Sequence, residues 1–304
     1  LHGSSAASDV YKRQYVPPHP WALDFPHLML RGKAIAYQEK NKSLKQRARD
    51  SALTSTDSLG KLMKLPLVDI TYEAISKSPK ARKIASKITG VHEEAPWPNF
   101  EKSVKTYIPK SIENVTATDK TTGKVALFTG CYCRNNDAEL ANDLLKVFEH
   151  NNIETRVILD DKCCGMPKLD LGDLKSVENL MKHNVPKLLQ EIDEGFDIIS
   201  LVPSCVLMFK QELPLLFDEN DDLKKIKQHI FDPFEYLSDR ESKGLMNKSF
   251  KNSLGKIAYQ VACHQRVQNI GPKTKELLEM VPDTEVQAIE RCSGHDGTYA
   301  VREE

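Results

Sequence analysis

The sequence predicts an α/β protein made of two repeated parallel-sheet, cysteine-rich (Cys-Cys-Gly) units, the second truncated, preceded by a helical arm. Three observations predict this fold. Strand-like and helix-like segments alternate after residue 123, which is typical of a parallel sheet with helical crossovers. Cysteines stand at the ends of the predicted strands, and two cysteine-bearing segments recur later in the chain. We therefore expect the carboxyl edge of the sheet to carry the functional site.

Composition sets the general class. With 304 residues, 40% of them hydrophobic, the chain can bury a core and is expected to form about two domains. Lysine plus arginine and aspartate plus glutamate both number 43, so no nucleic-acid partner is expected. No apolar run approaches the roughly 20 residues that span a bilayer. We expect a cytoplasmic protein, either free or peripheral at the inner face of the cytoplasmic membrane, in which seven cysteines serve as metal ligands or redox thiols.

The first part of the chain is predicted to lie outside the cysteine-rich units. Residues 1–14 have no periodicity and are interpreted as a non-native scar. Residues 15–95 begin with a proline-rich stretch and continue with helical periodicity, which predicts a helical arm. Residues 96–122 are rich in turn formers and are predicted to be a linker.

The first cysteine-rich unit is assigned to residues 123–218. Its three predicted strands, KVALFTGC, ETRVILDD and DIISLVPSC, alternate with helical segments and lead to Cys131, Cys163-Cys164 and Cys205. Asn136 or Asp137 is expected to cap the first helix, and Pro186 to kink or split the second.

An internal repeat predicts the second unit. KVALFTGC (124–131) aligns with KIAYQVAC (256–263), and DKCCG (161–165) with ERCSG (290–294), at offsets of 132 and 129 residues. Residues 219–254 are then a helical connection, and residues 255–304 a truncated second unit. Ser293 stands in place of Cys164, and the chain stops before a counterpart of Cys205, so we expect a fragment.

The cysteines favour an iron–sulfur cluster among several alternatives. Cys131, Cys163, Cys164 and Cys205 could be buried as small apolar residues, form a vicinal disulfide switch, or bind zinc. Widely spaced single cysteines at strand ends suit an iron–sulfur cluster better than zinc, which is usually held by paired CxxC-type hairpins. Cys133 is either a fifth ligand or a bystander, and Cys263 and Cys292 define a second, incomplete site. His264 and His295 are expected to form hydrogen bonds to cluster sulfur or backbone beside that second site.

Specific motifs resemble a known family. YVPPHPWALDFPHLMLR, GCY, KCCGMP, VPSCVLMFKQELPLLF, CHQRVQNIG and ERCSGHDGT resemble the CCG, or cysteine-rich, domain of iron–sulfur oxidoreductases. The pattern is similar to the cysteine-rich subunits of heterodisulfide reductase and, more closely, of anaerobic glycerol-3-phosphate dehydrogenase. Members of this family usually carry a ferredoxin-like module before the arm. They also usually have a CPxC element, whereas this sequence has Val202-Pro203-Ser204-Cys205 at that place and lacks the first cysteine.

The resemblance implies an electron-transfer subunit with a [4Fe–4S] cluster, either cubane or non-cubane. As part of an anaerobic-type oxidoreductase, it would relay electrons between a flavoprotein dehydrogenase subunit and either quinone or another acceptor, with a membrane anchor as a further partner. A heterodisulfide-type thiol–disulfide reductase subunit and a zinc-binding interaction module are the alternatives. No catalytic residue is assigned, because the role is expected to be that of a subunit and not of a complete enzyme.

Overall fold

A computed structural model of the chain describes residues 24–39, 43–101, 112, 114–291 and 301. The interpretation of residues 1–14 as a scar, and the predictions for Cys292, Ser293 and His295, concern residues outside these ranges. The described part of the arm contains five helices: α1 (Phe25–Gln38), α2 (Leu44–Thr54), α3 (Thr56–Met63), α4 (Pro66–Lys77) and α5 (Pro79–Thr89).

A four-stranded parallel sheet forms the centre of the fold, which confirms the prediction of an α/β protein with a parallel sheet. The strands lie in the order β2-β1-β3-β4. Their bounds are β1 (Lys124–Leu127), β2 (Glu154–Val157), β3 (Asp197–Ile199) and β4 (Ile230–Phe231). The helices between and after them are α6 (Gly130–Asn135), α7 (Ala138–His150), α8 (Met166–Leu171), α9 (Leu174–Asp193), α10 (Pro203–Leu207), α11 (Leu213–Leu216), α12 (Asp221–His229) and α13 (Pro233–Ser242), with a π-helical turn at Met208–Glu212.

Side chains of β1 and of Phe128, the residue that follows it, divide the core into two apolar clusters. Val125 and Leu127 pack with α7, whereas Ala126 and Phe128 pack with α9 on the other face. All four are fully buried. Since successive strand residues point to opposite faces, an uninterrupted apolar strand indicates a sheet covered on both sides. Packing on both faces therefore holds each strand, and the position at which it ends, in place in the sheet.

Three local predictions have different outcomes. Asp137 caps α7 by accepting a hydrogen bond from the Leu140 N–H, as expected. Pro186 does not split its helix, because α9 runs without interruption over 20 residues. Burial of the α9 face on both sides of Pro186, for example at Val177 and Leu188, holds the helix together despite the missing N–H donor. Residues 219–254 are not purely helical, since they also supply β4, which pairs with β3.

A separate two-stranded parallel sheet follows. It pairs β5 (Gly255–Gln260) with β6 (Thr284–Ile289), in a register that places Gly255 opposite Thr284. The intervening helices are α14 (Cys263–Arg266) and α15 (Lys273–Leu278). The pair has the same parallel orientation as β1 and β2.

Helix α1 packs closely on the turn between α8 and α9. Gly172 has a φ of +88°, and a Cβ there would stand 2.6 Å from the Lys33 carbonyl oxygen. Gly195 has nearly the same φ, +85°, but nothing lies within 4 Å of its Cβ position. An added side chain would strain the backbone at both glycines, but only at Gly172 would it also collide with α1. Comparing substitutions at the two positions therefore distinguishes the two effects.

We predict that Gly172→Ala destabilises the protein more than Gly195→Ala. The Gly195 variant should lose about 1 kcal/mol from left-handed backbone strain alone. The Gly172 variant should lose more in urea unfolding and should be cleaved faster in α1 by a protease, because the new methyl group displaces the helix. Equal effects of the two substitutions would show that α1 does not pack closely at Gly172.

A histidine also attaches α1 to the rest of the protein. His27 Nε2 lies 3.0 Å from the Glu212 carboxylate, which belongs to the π-helical turn, and Nδ1 contacts Asp24. Burial alone would lower the pKa of His27, but the hydrogen bonds to Asp24 and Glu212 outweigh burial and raise the pKa above its ordinary value.

The raised pKa predicts pH-dependent attachment of α1. A histidine whose pKa is higher in the folded protein stabilises it below the unfolded pKa, and that contribution is lost as pH rises through the folded pKa. The stability difference between the parent chain and His27→Gln should therefore be larger at about pH 5.5 than at about pH 8.5. Urea unfolding of both proteins at the two pH values measures it. A difference that grows with pH would contradict the assigned ion pairs.

Candidate metal centre

Four cysteines follow the carboxyl ends of three adjacent strands. Cys131 lies in α6 after β1, the pair Cys163-Cys164 precedes α8 after β2, and Cys205 lies in α10 after β3. Because β2, β1 and β3 are neighbours in the sheet, the sequence positions converge at one edge. The chain turns after the vicinal pair at Gly165, whose φ of +101° favours glycine.

The four thiols form a continuous row. The Cys131 and Cys163 sulfurs are 3.8 Å apart, Cys163 interacts with Cys164, and Cys164 interacts with Cys205. Cys163, Cys164 and Cys205 are each only 3% exposed, and all four are free thiols. Gly130 lies beside the Cys205 end of the row, where a Cβ would stand 3.4 Å from the Cys205 sulfur.

Contacts between the thiols shift the pKa of Cys163 in the opposite direction from those of Cys131 and Cys164. Hydrogen bonds from Cys131 and Cys164 lower the pKa of Cys163 to about 3. The same hydrogen bonds, together with burial, raise the pKa of Cys131 and of Cys164. Thiolates are the form in which cysteine binds metals, so the lowered pKa of Cys163 favours metal binding by its sulfur.

The other predicted cysteines are not members of this row. Cys133 is 2% exposed within the apolar cluster around Leu127 and Leu145, and burial raises its pKa to about 12. Cys263 is exposed at the start of α14. Its neighbour His264 contacts the Ser204 hydroxyl through Nδ1 at 2.7 Å, beside Cys205, and Cys292 lies outside the described residues.

A buried carboxylate joins the first two cysteine loops. Asp161 accepts hydrogen bonds from the Gly130 N–H at 2.8 Å and the Thr129 hydroxyl at 3.1 Å, and it forms an ion pair with Arg134. Burial raises the pKa of Asp161, although Arg134 opposes that shift. Sequence reasoning gave this aspartate no role, because nothing in the DKCCG motif reveals a partner 31 residues away.

Two further polar residues hold the vicinal pair. Asn184 of α9 accepts from the Lys162 N–H at 2.9 Å and donates to the Cys163 carbonyl at 3.1 Å. Asp57 of α3 accepts from the Cys163 N–H at 2.7 Å and pairs with Arg134 at 3.3 Å. The arm thus contributes directly to the site, which the sequence did not indicate.

The described parts of the chain contain neither a side-chain group that encloses a single metal ion nor a membrane-spanning helix. Within residues 24–39, 43–101 and 114–291, no three histidine, cysteine, aspartate or glutamate side chains are grouped so as to enclose a single metal ion. Across the same residues, no helix is both long and apolar enough to cross a membrane.

Comparison with known proteins defines the class of domain. Residues 125–210 match the family described as CCG, cysteine-rich domain, and this range includes all four thiols of the row. The family resemblance expected from the sequence is thereby confirmed. No solved structure was found to match the chain.

Several curated proteins are similar at modest identity. The chain is 24% identical over 258 residues to the subunit designated C of anaerobic glycerol-3-phosphate dehydrogenase from Escherichia coli (strain K12), covering 84% of this chain and 63% of that protein. It is 26% identical over 179 residues to the subunit designated B of fumarate reductase (CoM/CoB) from Methanothermobacter marburgensis, covering 57% of this chain and 33% of the relative. Lactate utilization protein A of Bacillus licheniformis is 25% identical over 184 residues, or 59% of this chain and 75% of the relative. The match to the first of these relatives thus spans less than two thirds of that protein.

Proposed function

We propose that the chain is an iron–sulfur electron-transfer subunit of an oxidoreductase. Cys131, Cys163, Cys164 and Cys205 would hold a [4Fe–4S] cluster, cubane or non-cubane. The observation that carries this proposal is the row of four thiols at the ends of three adjacent parallel strands. The similar proteins support the class, since two of them are named as subunits of a dehydrogenase and a reductase.

The side chains present fit such a cluster. The row offers only sulfur, is mostly buried and is spread over three loops, which suits soft, polynuclear iron–sulfur ligation. Since three of its members are not grouped around one point, a single zinc ion fits the row less well. A bound cluster would accept and return one electron at a time, while Asp161, Asn184 and Asp57 orient the loops that carry its ligands.

The second cysteine-rich unit is part of the proposal. Residues 255–304 would repeat residues 123–218 after the connection at 219–254, with Cys263 and Cys292 in a second, incomplete site. The parallel pairing of β5 with β6, like that of β1 with β2, supports this repeat. Cys133 is not proposed as a ligand of the first cluster, because it packs in the apolar core.

The partners are those that the family resemblance implies, and the relatives named as subunits support a role within a complex. We infer a flavoprotein dehydrogenase subunit as electron donor, and quinone, reached directly or through a membrane anchor, as acceptor. The place of action would be the cytoplasm or the inner face of the cytoplasmic membrane.

Reduction of the purified protein, followed by reoxidation with candidate acceptors, tests this function. The anaerobically purified protein should be brown, bleach with one electron per cluster on dithionite titration, and regain its absorption when a soluble quinone is added. Regain with an organic disulfide but not with quinone would overturn the relay and favour the heterodisulfide-type alternative. A colourless protein with stoichiometric zinc would overturn both.

A further inference from the structure

The start of helix α3 lies against the thiol row in a fixed position. Asp57, in its first turn, accepts the Cys163 N–H at 2.7 Å. Further along α3, Gly60 approaches α6 so closely that a Cβ would stand 2.2 Å from the Asn135 Cγ. These contacts leave α3 little freedom to shift relative to Cys131 and Cys163.

The residue before Asp57 carries a buried hydroxyl that makes no regular hydrogen bond. Thr56 Oγ1 is inaccessible to water and makes no hydrogen bond of normal length and angle. The hydroxyl nevertheless faces the thiols of Cys131 and Cys163 and interacts with both. A buried polar group without a partner costs about 1–3 kcal/mol, so such an arrangement calls for an explanation.

We propose that Thr56 is a positioning residue whose hydroxyl donates a hydrogen bond to a sulfur of the cluster held by Cys131 and Cys163. This inference rests on the proposed function. It explains why a threonine of the arm is buried beside the thiols, since a hydroxyl can donate to sulfur where an apolar side chain of the same shape cannot.

Such a hydrogen bond has a defined electronic effect. Reduction adds negative charge to the cluster, and a donor to sulfur stabilises the more negative state, so it raises the reduction potential. The helical arm would then help to set the potential of a cluster whose ligands all lie in the cysteine-rich unit.

Potentials of three variants test the inference. Thr56→Val keeps the shape and removes the donor, so its midpoint potential should fall below that of the parent chain. Thr56→Ser retains the hydroxyl and should stay close to the parent. Thr71→Val is the matched control, because the Thr71 hydroxyl is exposed and bonds within its own helix to the Leu67 carbonyl. Redox titration followed by electron paramagnetic resonance measures all four proteins, with iron and sulfide determined in parallel.

The outcomes distinguish this inference from the proposed function. A parent chain without iron and sulfide would overturn both. A loaded parent with the same potential in Thr56→Val would overturn the Thr56 inference alone, as would an equal shift in Thr71→Val. Loss of iron in Thr56→Val with retention in Thr56→Ser would support it, because only the hydroxyl differs in chemistry. Loss of iron in both Thr56 variants would overturn it.

Discussion

Cys164→Ser is expected to lose the cluster almost completely. Cys164 lies between Cys163 and Cys205 in the thiol row, so its removal breaks the row into two parts. Replacing residues that only orient metal ligands already lowers affinity about 10- to 100-fold, and loss of a ligand itself should exceed about 100-fold. Iron, sulfide and visible absorption per chain, measured after anaerobic reconstitution, give the result.

Cys133→Ala is the matched control for that substitution. Cys133 is also buried, but it packs in the apolar cluster around Leu127 and Leu145 and is not a member of the row. Its replacement should leave iron and absorption unchanged and cost about 1 kcal/mol of stability. Unchanged iron in Cys164→Ser, or equal loss in both variants, would contradict the assignment of the row.

Asp161→Asn is expected to cause the largest loss of stability among the polar substitutions. Asp161 is 3% exposed and receives the Gly130 N–H, the Thr129 hydroxyl and the Arg134 guanidinium. An amide has one acceptor oxygen and no charge, so it cannot satisfy all three. Breaking a buried ion pair on one side costs about 3–5 kcal/mol, and the lower end applies because the Arg134 side chain is 28% exposed.

Asp160→Asn is the adjacent control. The Asp160 side chain is 75% exposed and pairs with Lys187 at 3.5 Å and with His183 at 3.6 Å, and asparagine tolerates its φ of +56°. Its free energy of unfolding should change by no more than about 0.5 kcal/mol. Urea unfolding with iron analysis compares the two, and only Asp161→Asn should lose iron, by about 10-fold. Equal stability of the two variants would show that Asp161 does not join the loops.

Local patterns were sufficient to predict the position of the thiols. Cys131, Cys163-Cys164 and Cys205 each follow a segment of strand character, and parallel strands place their carboxyl ends together. The parallel sheet followed from the same alternation. Strand β4 could not be predicted, because two residues, Ile230 and Phe231, carry no periodicity.

The polar contacts that hold the site could not be predicted from the sequence. Asp57 and Cys163 are 106 positions apart, and an aspartate in the first turn of a helix has an adequate local explanation as a helix-terminal charge. Thr56 and Asn184 likewise resemble ordinary helix residues until the helices are packed. Of the two outcomes expected at Pro186, a kink or a split, the split was wrong for the opposite reason, because burial along the whole helix outweighs the local rule.

The central claim is that the four-thiol row binds an iron–sulfur cluster, and the metal content of the parent chain tests it most directly. The protein should be prepared and reconstituted without oxygen, then analysed for iron, acid-labile sulfide and zinc and by Mössbauer spectroscopy. We predict a brown protein with about four irons and a similar amount of sulfide for each filled site. A colourless protein holding one zinc and no sulfide would contradict the account.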